Sequence, residues 1–473
     1  MVLTTRPLAA SRTETNPMQR YLDAIRSTDL IRKVGHVRRL AGLSIESTGP
    51  DVLVGEICDI RVRRSSRSLR AEVVGLRDGQ VMLMPYGEVQ GIGAGCEVVA
   101  TGRMPQIAVG ENLLGRVIDA FGEPLDGLPA IVATEFRSLK ATPLNPLSRP
   151  RVREVLETGV RSIDSMLTIG RGQRVGIFAG SGVGKSTLLG MIARNTRADI
   201  NVIALIGERG REVRDFLDKH LGPDGLKHSV VVVATSDQPA LARARAAYAA
   251  TAIAEYFRDA GKQVMLTMDS VTRFAMARRE IGLSIGEPPT ARGYTPSVFA
   301  ELPELCERCG TASSGGTITA LYTVLVEGDD FNEPISDMLR ATLDGHIVLA
   351  RRLAQQGHYP AIDVLHSVSR LFGDLATDEE RTLVHDTLEC MSVYDRNRQL
   401  IDMGAYRAGT SEEIDLAIAL WPTLTQFLRQ REEQSVDRAG ALDALRSIMR
   451  NAIPSAGADP GTGNTRQKVG ANP

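Results

Sequence analysis

Three short stretches of this chain hold residue types spaced for phosphate chemistry. In FAGSGVGKSTL, which begins at Phe178, the run Ala179, Gly180, Ser181, Gly182, Val183, Gly184, Lys185, Ser186, Thr187 follows an apolar strand-like segment and leads into a helical one. Glycines at that junction let backbone N–H groups wrap phosphate oxygens, and the helix offers its positive end. Lys185 then reaches the β and γ phosphates, and Ser186 supplies an oxygen to Mg2+. The full pattern has Gly where Ala179 stands; alanine there removes no phosphate donor, provided its backbone angle is allowed. In VMLTMDS, Asp269 closes an apolar strand, where a carboxylate meets Mg2+ directly or through water. Glu208 and Arg209, in ALIGERGREVRDFL, close another strand at the same edge, where a carboxylate can orient water against the γ phosphate and a guanidinium can meet developing charge. The competing readings are a helix-capping role for Asp269 and a surface ion pair for Glu208.

These side chains need a scaffold that delivers several strand ends to one place. Beyond Pro143, Pro146 and Pro150, the near-continuous apolar runs RVGIFA, NVIALIG, SVVVVAT, QVMLTMD, ITALYTVL and HIVLA alternate with helical or loop segments. That rhythm predicts a mostly parallel sheet covered on both faces, an α/β P-loop core. One helix is marked by Pro239 at its start and Gly261 at its end, with Leu241, Tyr248, Ile253 and Phe257 at apolar positions.

Before the core, residues 33–104 read as short alternating strands closed by turn residues, a β-barrel or sandwich. Arg61, Arg63, Arg64, Arg67 and Arg70 alternate with Ile60, Val62 and Leu69, which assigns most of them to the outer face of a hairpin. A barrel that binds single-stranded nucleic acid stacks bases on aromatic rings, yet Tyr86 is the one Phe, Tyr or Trp between Lys33 and Gln106. No nucleic-acid partner is therefore expected. Residues 105–372 form the P-loop domain, 373–453 a C-terminal helical domain, and 454–473, rich in Gly, Pro and Asn, a disordered tail. In residues 1–32, Asn16 and Pro17 open a predicted amphipathic helix carrying Met18, Tyr21, Leu22 and Ile25, which packs on its own domain or docks a partner.

The bulk properties suit a multidomain globular protein: 473 residues, 43% hydrophobic, 24% charged, net charge −1. Such a balance draws the chain neither to nucleic acid nor to lipid. Apolar runs fall short of the roughly 20 residues of a membrane span, and the first residues lack a secretory apolar stretch, so a cytoplasmic location is expected. Of the five cysteines, Cys306 and Cys309 form a CxxC without a second pair or a nearby histidine, which reads as two thiols one helical turn apart.

In order along the chain, ETGVRSID, GSGVGKST, GERGREVRDF, DSVTRFAMARREIG and YPAIDVLHSVSR resemble the catalytic core of the rotary ATP synthase superfamily. IGEPPTARGYTPSVFAELPELCERCG and LYTVLVEGDDFNEPISDMLRATLDGHIVLARRL resemble its flagellar and type III protein-export branch, and the similarity runs from about Val34 to Leu428. The resemblance implies a RecA-like core between an N-terminal β-barrel and C-terminal helices, with ATP as substrate and Mg2+ as cofactor. It assigns Lys185 and Ser186 to phosphate and Mg2+, Glu208 to water, Arg209 to the γ phosphate and Asp269 to Mg2+. Tyr359 matches the position that stacks on adenine, and Arg370 the arginine finger that enters a neighbour's site; the bland alternatives are a partly buried tyrosine and a structural ion pair.

Both halves of a site in one chain imply a homohexamer. The implied partners are a stator-like regulatory protein on the N-terminal segment, a central stalk protein, export chaperones with their substrates, and the membrane export gate at the inner membrane. GLSIGEPPTARGYTPS and VEGDDFNEP, with Glu327, Asp329, Asp330 and Glu333, are either pore-facing or solvated surface loops. Alternatives to flagellar export are a virulence secretion ATPase, a subunit of an ion-translocating rotary synthase, and a hexameric nucleic-acid translocase.

Overall fold

The computed structural model describes Met18 and residues 33–63, 67–326, 328 and 330–451. The predicted N-terminal helix, apart from Met18, and the predicted tail lie outside the described residues. The chain divides at Pro105 into two compact units.

In the first unit six strands close into a barrel: β1 (Val34–Ala41), β2 (Ser44–Ser47), β3 (Ile57–Arg61), β4 (Ser68–Arg77), β5 (Gln80–Pro85) and β6 (Glu97–Arg103), in the order β1-β2-β5-β4-β3-β6. All neighbours are antiparallel. Alternation sends Cys58, Ile60, Ala71 and Val73 inward to meet Val37, Ile45, Leu83 and Val98, while Arg61, Arg63, Arg67 and Arg70 stand outside; Arg64 lies outside the described residues. Between β4 and β5, Asp78 and Gly79 take φ of 50° and 71°. That pair of left-handed residues is what a two-residue hairpin of matching twist requires.

The second unit is built on a nine-stranded sheet. Its members are β7 (Val117–Asp119), β8 (Arg174–Ala179), β9 (Ile200–Ile206), β10 (Ser229–Ala234), β11 (Gln263–Asp269), β12 (Thr317–Leu325), β13 (Gly345–Leu349) and β14 (Val368–Ser369), with a short strand Gly310–Thr311 beside β12. The order is β14-β13-β8-β12-β11-β9-β10-β7. From β13 to β7 every neighbour is parallel, so the ends of β8, β9 and β11 share one edge. Strand β7 is too short to carry a pattern in sequence. It joins the sheet by parallel pairing with β10, where the Gly115 N–H donates to the Ser229 carbonyl at 2.9 Å and the Val231 N–H to the Arg116 carbonyl at 3.0 Å. Asp126 braces it by receiving the Arg116 guanidinium at 2.7 Å and the Val117 N–H at 3.1 Å.

Eight helices matter to the site: α1 (Lys185–Asn195), α2 (Ala240–Asp259), α3 (Val271–Ser284), α4 (Pro296–Glu307), α5 (Pro334–Thr342), α6 (Asp378–Asp402), α7 (Glu412–Leu428) and α8 (Arg438–Asn451). Helix α2 starts after Pro239, as its sequence predicts, but it is buried on nearly all sides. Its alanines let it lie close on β9, β10 and β11, and Arg245 escapes desolvation by donating to the carbonyls of Ala120 and Gln106 at 3.0 and 2.8 Å. Helices α6 to α8 share one core with the sheet: Val384, Met391, Leu420, Leu424, Phe427 and Leu445 belong to the cluster of Ile177, Leu188, Val231 and Leu321. Thr377 and Glu380 form a capping box at the start of α6, and the same Glu380 takes the Arg438 guanidinium in two bonds of 2.7 and 2.8 Å. Among the described residues no helix is long and apolar enough to cross a membrane.

Candidate active site

Strand β8 ends at Ala179, still paired with Leu325 of β12 and Leu349 of β13. Extended backbone there accommodates a Cβ, which is why alanine replaces the usual glycine. Gly182 and Gly184 turn the chain with φ of 77° and 87°, angles that a side chain would strain. Val183 is buried and anchors the turn. Gly184 is the N-cap of α1 and no side chain caps that end, so the first N–H groups of the helix face the loop, an arrangement that suits an anion.

Lys185 is the first residue of α1. Its Nζ bonds to Glu208 Oε1 at 3.1 Å and to Asp269 Oδ1. Burial works to lower the pKa of this ammonium, but the Asp269 and Glu208 carboxylates outweigh it and leave the group firmly charged. Asp269 is buried at the end of β11 and is held from β12 by the Thr323 hydroxyl, which donates to Oδ1 at 2.7 Å. Glu208 follows β9. Burial first, and then the neighbouring Glu212, push its carboxyl above the usual range, with Lys185 opposing. A carboxylate so tuned is a better proton acceptor than one in water. Arg209 extends into solvent, with its side chain 82% exposed and Glu212 at 4.0 Å.

Lys185, Glu208 and Arg209 line a cavity of about 710 Å3 together with Gly180 to Gly182, Gly184, Ser186, Thr187 and Gly328, and Asp269 lies buried behind Lys185. A second hollow of about 1190 Å3 continues from Gly182, Gly184 and Thr187 to Tyr359, Pro360, Gln426 and Arg429. The Tyr359 ring lies beside the loop, since a Cβ on Gly184 would stand 3.3 Å from it. Tyr359 is held from the C-terminal segment: the Gln430 N–H donates to its carbonyl at 2.9 Å, and the Gln430 side chain joins Arg161 N and Gly159 O at 2.8 Å each. Volume and lining suit a ligand with an anionic end and a flat one.

Sequence reading passed over several residues of this edge. Arg273, on α3, lines the cavity and has a buried Nε without a partner. Gly207 must be glycine because its φ is 70° and a Cβ would meet the Arg273 stem at 2.9 Å. Arg273 sits one turn beyond Asp269, a spacing the sequence did display. Thr323 and Gln430 come from distant segments and have no local signature, and Glu333, read from sequence as part of a pore-facing or solvated loop, lines the cavity.

Arg370 is not among these groups. It follows β14, which pairs antiparallel with the first residues of β13, so it stands at the edge opposite Lys185. The strand between the two edges, five residues long, spans roughly 16 Å. Arg370 is exposed, and its Nη2 donates to the carbonyl of Arg340 at 2.8 Å. Of the acidic loop, Glu327 and Asp329 lie outside the described residues. Arg292, from the other candidate pore loop, meets Asp330 at 2.5 Å and Glu333 at 3.6 Å, so the two loops are joined. Cys306 and Cys309 are both buried, with Cys309 Sγ 3.2 Å from the Tyr322 hydroxyl and its thiol pushed up to about 11 by burial. Such thiols are poor metal ligands and nucleophiles near neutrality.

With this geometry in view, comparison with known proteins places the chain. The ATP synthase alpha/beta family matches twice, its beta-barrel domain at residues 38–102 and its nucleotide-binding domain at 159–369, and the T3SS EscN ATPase C-terminal domain matches 376–447. The flagellum-specific ATP synthase of Bacillus subtilis is 55% identical over 92% of this chain and 99% of its own. The type 3 secretion system ATPase of Xanthomonas euvesicatoria is 46% identical over 89% and 95%. The assembled ATPase EscN of the enteropathogenic E. coli type III secretion system superposes with a TM-score of 0.83 at 44% identity, covering 88% of this chain and 99% of that one. The chain belongs to the ATP synthase alpha/beta family, in the branch of flagellum-specific ATP synthases and type III secretion ATPases.

Proposed function

We propose that this chain is the ATP-hydrolysing motor of flagellar protein export, a ring of six identical subunits that assists chaperone release and the unfolding and entry of exported subunits. One observation carries the reading: Lys185, Glu208 and Asp269 converge at one edge of the sheet while Arg370 projects from the opposite edge of the same chain. A protomer cannot bring its own arginine to its own phosphate loop, and a second copy can.

The γ phosphate displaces the two carboxylates from Lys185 and takes their place against its ammonium. Glu208, released from that pair, accepts a proton from the attacking water. Arg209 and Arg273 meet the transferring phosphoryl from the cavity wall, and Arg370 of the adjacent copy completes the charge stabilisation. Tyr359 stacks on adenine. The Ser186 hydroxyl and the Asp269 carboxylate are hard oxygen donors that would hold Mg2+, with the Thr323 hydroxyl keeping Asp269 in position; the ion would supply neutralisation of phosphate charge.

The flagellum-specific ATP synthase of Bacillus subtilis, at 55% identity, is more similar to this chain than the type 3 secretion system ATPase of Xanthomonas euvesicatoria, at 46%, which favours the flagellar reading. EscN has been solved with its central stalk EscO; a stalk protein in the ring, a stator-like partner on residues 1–32, chaperones with their substrates and the export gate are the partners expected here. The chain works on the cytoplasmic side, held at the export apparatus through them.

Two measurements test the proposal. The purified chain alone assembles and hydrolyses ATP; a requirement for a different catalytic partner subunit would instead make it part of a rotary synthase. An in-frame deletion abolishes flagellar filaments; intact flagella with lost effector secretion would transfer the role to a virulence system.

A further inference from the structure

Helix α5 connects the nucleotide cavity to Arg370. Its N-cap residue, Glu333, lines the cavity with Val326 and Gly328. Its last turn contains Arg340, whose carbonyl oxygen accepts the Arg370 guanidinium. Carbonyls of a last turn have no partner within the helix, and the negative end of the helix favours a cation, so Arg370 serves as a cap. The Arg340 side chain runs back along the helix and donates from Nη2 to the carbonyl of Phe331 at 3.0 Å. The Phe331 ring in turn stands 6.5 Å from that of Phe178, in the strand that leads to the phosphate loop. Ile335, Ser336 and Leu339 seat the helix in the core. Nine residues make a rigid strut about 13 Å long, with the cavity at one end and the arginine finger at the other.

We propose that α5 makes the availability of a protomer's Arg370 depend on that protomer's own nucleotide. This rests on the reading of Arg370 as the neighbour's finger. While the guanidinium caps α5 it is committed to the Arg340 carbonyl and is withheld from the adjacent site. A triphosphate entering beside Glu333 repels that carboxylate toward Arg292, its ion partner at 3.6 Å, and shifts the helix to which Glu333 belongs. The cap loosens and Arg370 extends. An empty protomer therefore withholds its finger and a filled one offers it. Arg340 is the positioning residue, because its side chain ties the capped end to the segment at the cavity.

Mixed assemblies of full-length chains test this. Arg370→Ala subunits, which lack only the finger, are combined with one of two inactive donors that retain Arg370: Lys185→Ala, which cannot hold a triphosphate, or Glu208→Gln, which holds one without hydrolysing it. Hydrolysis is read per donor incorporated, with incorporation measured in the same samples by mass. The expected result is rescue about fivefold stronger with the Glu208→Gln donor. Adding Arg340→Met to both donors shrinks that difference to within about twofold, and Arg340→Lys restores part of it. Equal rescue by the two original donors overturns the inference and leaves the shared site standing. Rescue by neither overturns the shared site and this inference with it. The first contrast needs no Arg340 variant, so it decides even if that variant folds poorly.

Discussion

The two edges of the central sheet use the same charged residues in opposite ways. At the edge opposite the phosphate loop, charges are matched. Arg174 bonds to both oxygens of Asp344 at 3.0 and 3.1 Å and also reaches Glu307. Arg149 donates to the carbonyls of Cys309, Glu307 and Leu144, and buried Arg308 takes the Glu255 carboxylate in two bonds of 2.9 and 2.6 Å. At the phosphate-loop edge, one ammonium serves two carboxylates, and Arg209 extends into water with Glu212 at 4.0 Å. Matched charges hold a fold, whereas a surplus that the chain does not match is the imprint of a ligand that completes it. Arg370 is an exception at the matched edge, exposed and with its guanidinium held by a single carbonyl.

The largest effect expected from breaking this contrast is at that exception. Arg370→Ala removes on the order of 10³ or more from turnover while fluorescent-nucleotide binding by the variant stays unchanged; full hydrolysis would make the residue an ordinary cap. Next comes the base. Glu208→Gln lowers kcat by on the order of 10² to 10⁴, measured by phosphate release. Burial and Glu212 raise the Glu208 carboxyl, and a base must be deprotonated to act. The acid limb of kcat/KM therefore begins at a higher pH than for an ordinary carboxylate. Glu212→Ala moves that limb to lower pH, and an unmoved limb would assign it to another group.

The difference between the edges also explains what could be read from sequence. Strand β8, the loop to Thr187 and α1 are contiguous, so period and spacing determine them locally. Asp269 and Glu208 were legible because each closes an apolar strand, and parallel strands bring such ends together. The barrel was legible down to the outward arginines because alternation is also local. Capping by Arg370, the tie from Gln430 to Tyr359 and the entry of β7 join residues far apart in the chain, and nothing near any of them in sequence names the partner. Even α2, whose ends are marked by Pro239 and Gly261, hid its full burial, because alanine shows no preference between a buried face and an exposed one.

At the matched edge the expected loss is of stability. Glu255→Gln leaves the Arg308 guanidinium, 2% exposed, without its counter-charge, at a cost of about 3 to 5 kcal/mol. Denaturant unfolding measures it, with nucleotide affinity unchanged in the protein that remains folded. A loss below 1 kcal/mol, the value of an exposed pair, would mean that water or a rearranged neighbour replaces the carboxylate.

The smallest expected effect is the most diagnostic, because it falls where the two habits meet. Thr323 is fully buried in β12 and belongs to the sheet as a matched residue, yet its hydroxyl donates to Asp269 Oδ1 in the site. Lys185 bonds to the same oxygen, and in the proposed mechanism the γ phosphate draws that ammonium away. Thr323 is then the donor that keeps the carboxylate aimed as its charge partner changes. Thr323→Val keeps the volume and the strand but removes the donor. Loss of about one hydrogen bond to a charged group, 1.5 to 3 kcal/mol, corresponds to a fall of roughly tenfold or more in kcat/KM, accompanied by a higher Mg2+ requirement. Thr323→Ser restores both, since it returns the hydroxyl and gives up only a methyl group. If the valine variant loses stability without a change in Mg2+ dependence, Thr323 serves the sheet alone and the surplus at the phosphate-loop edge ends at Asp269.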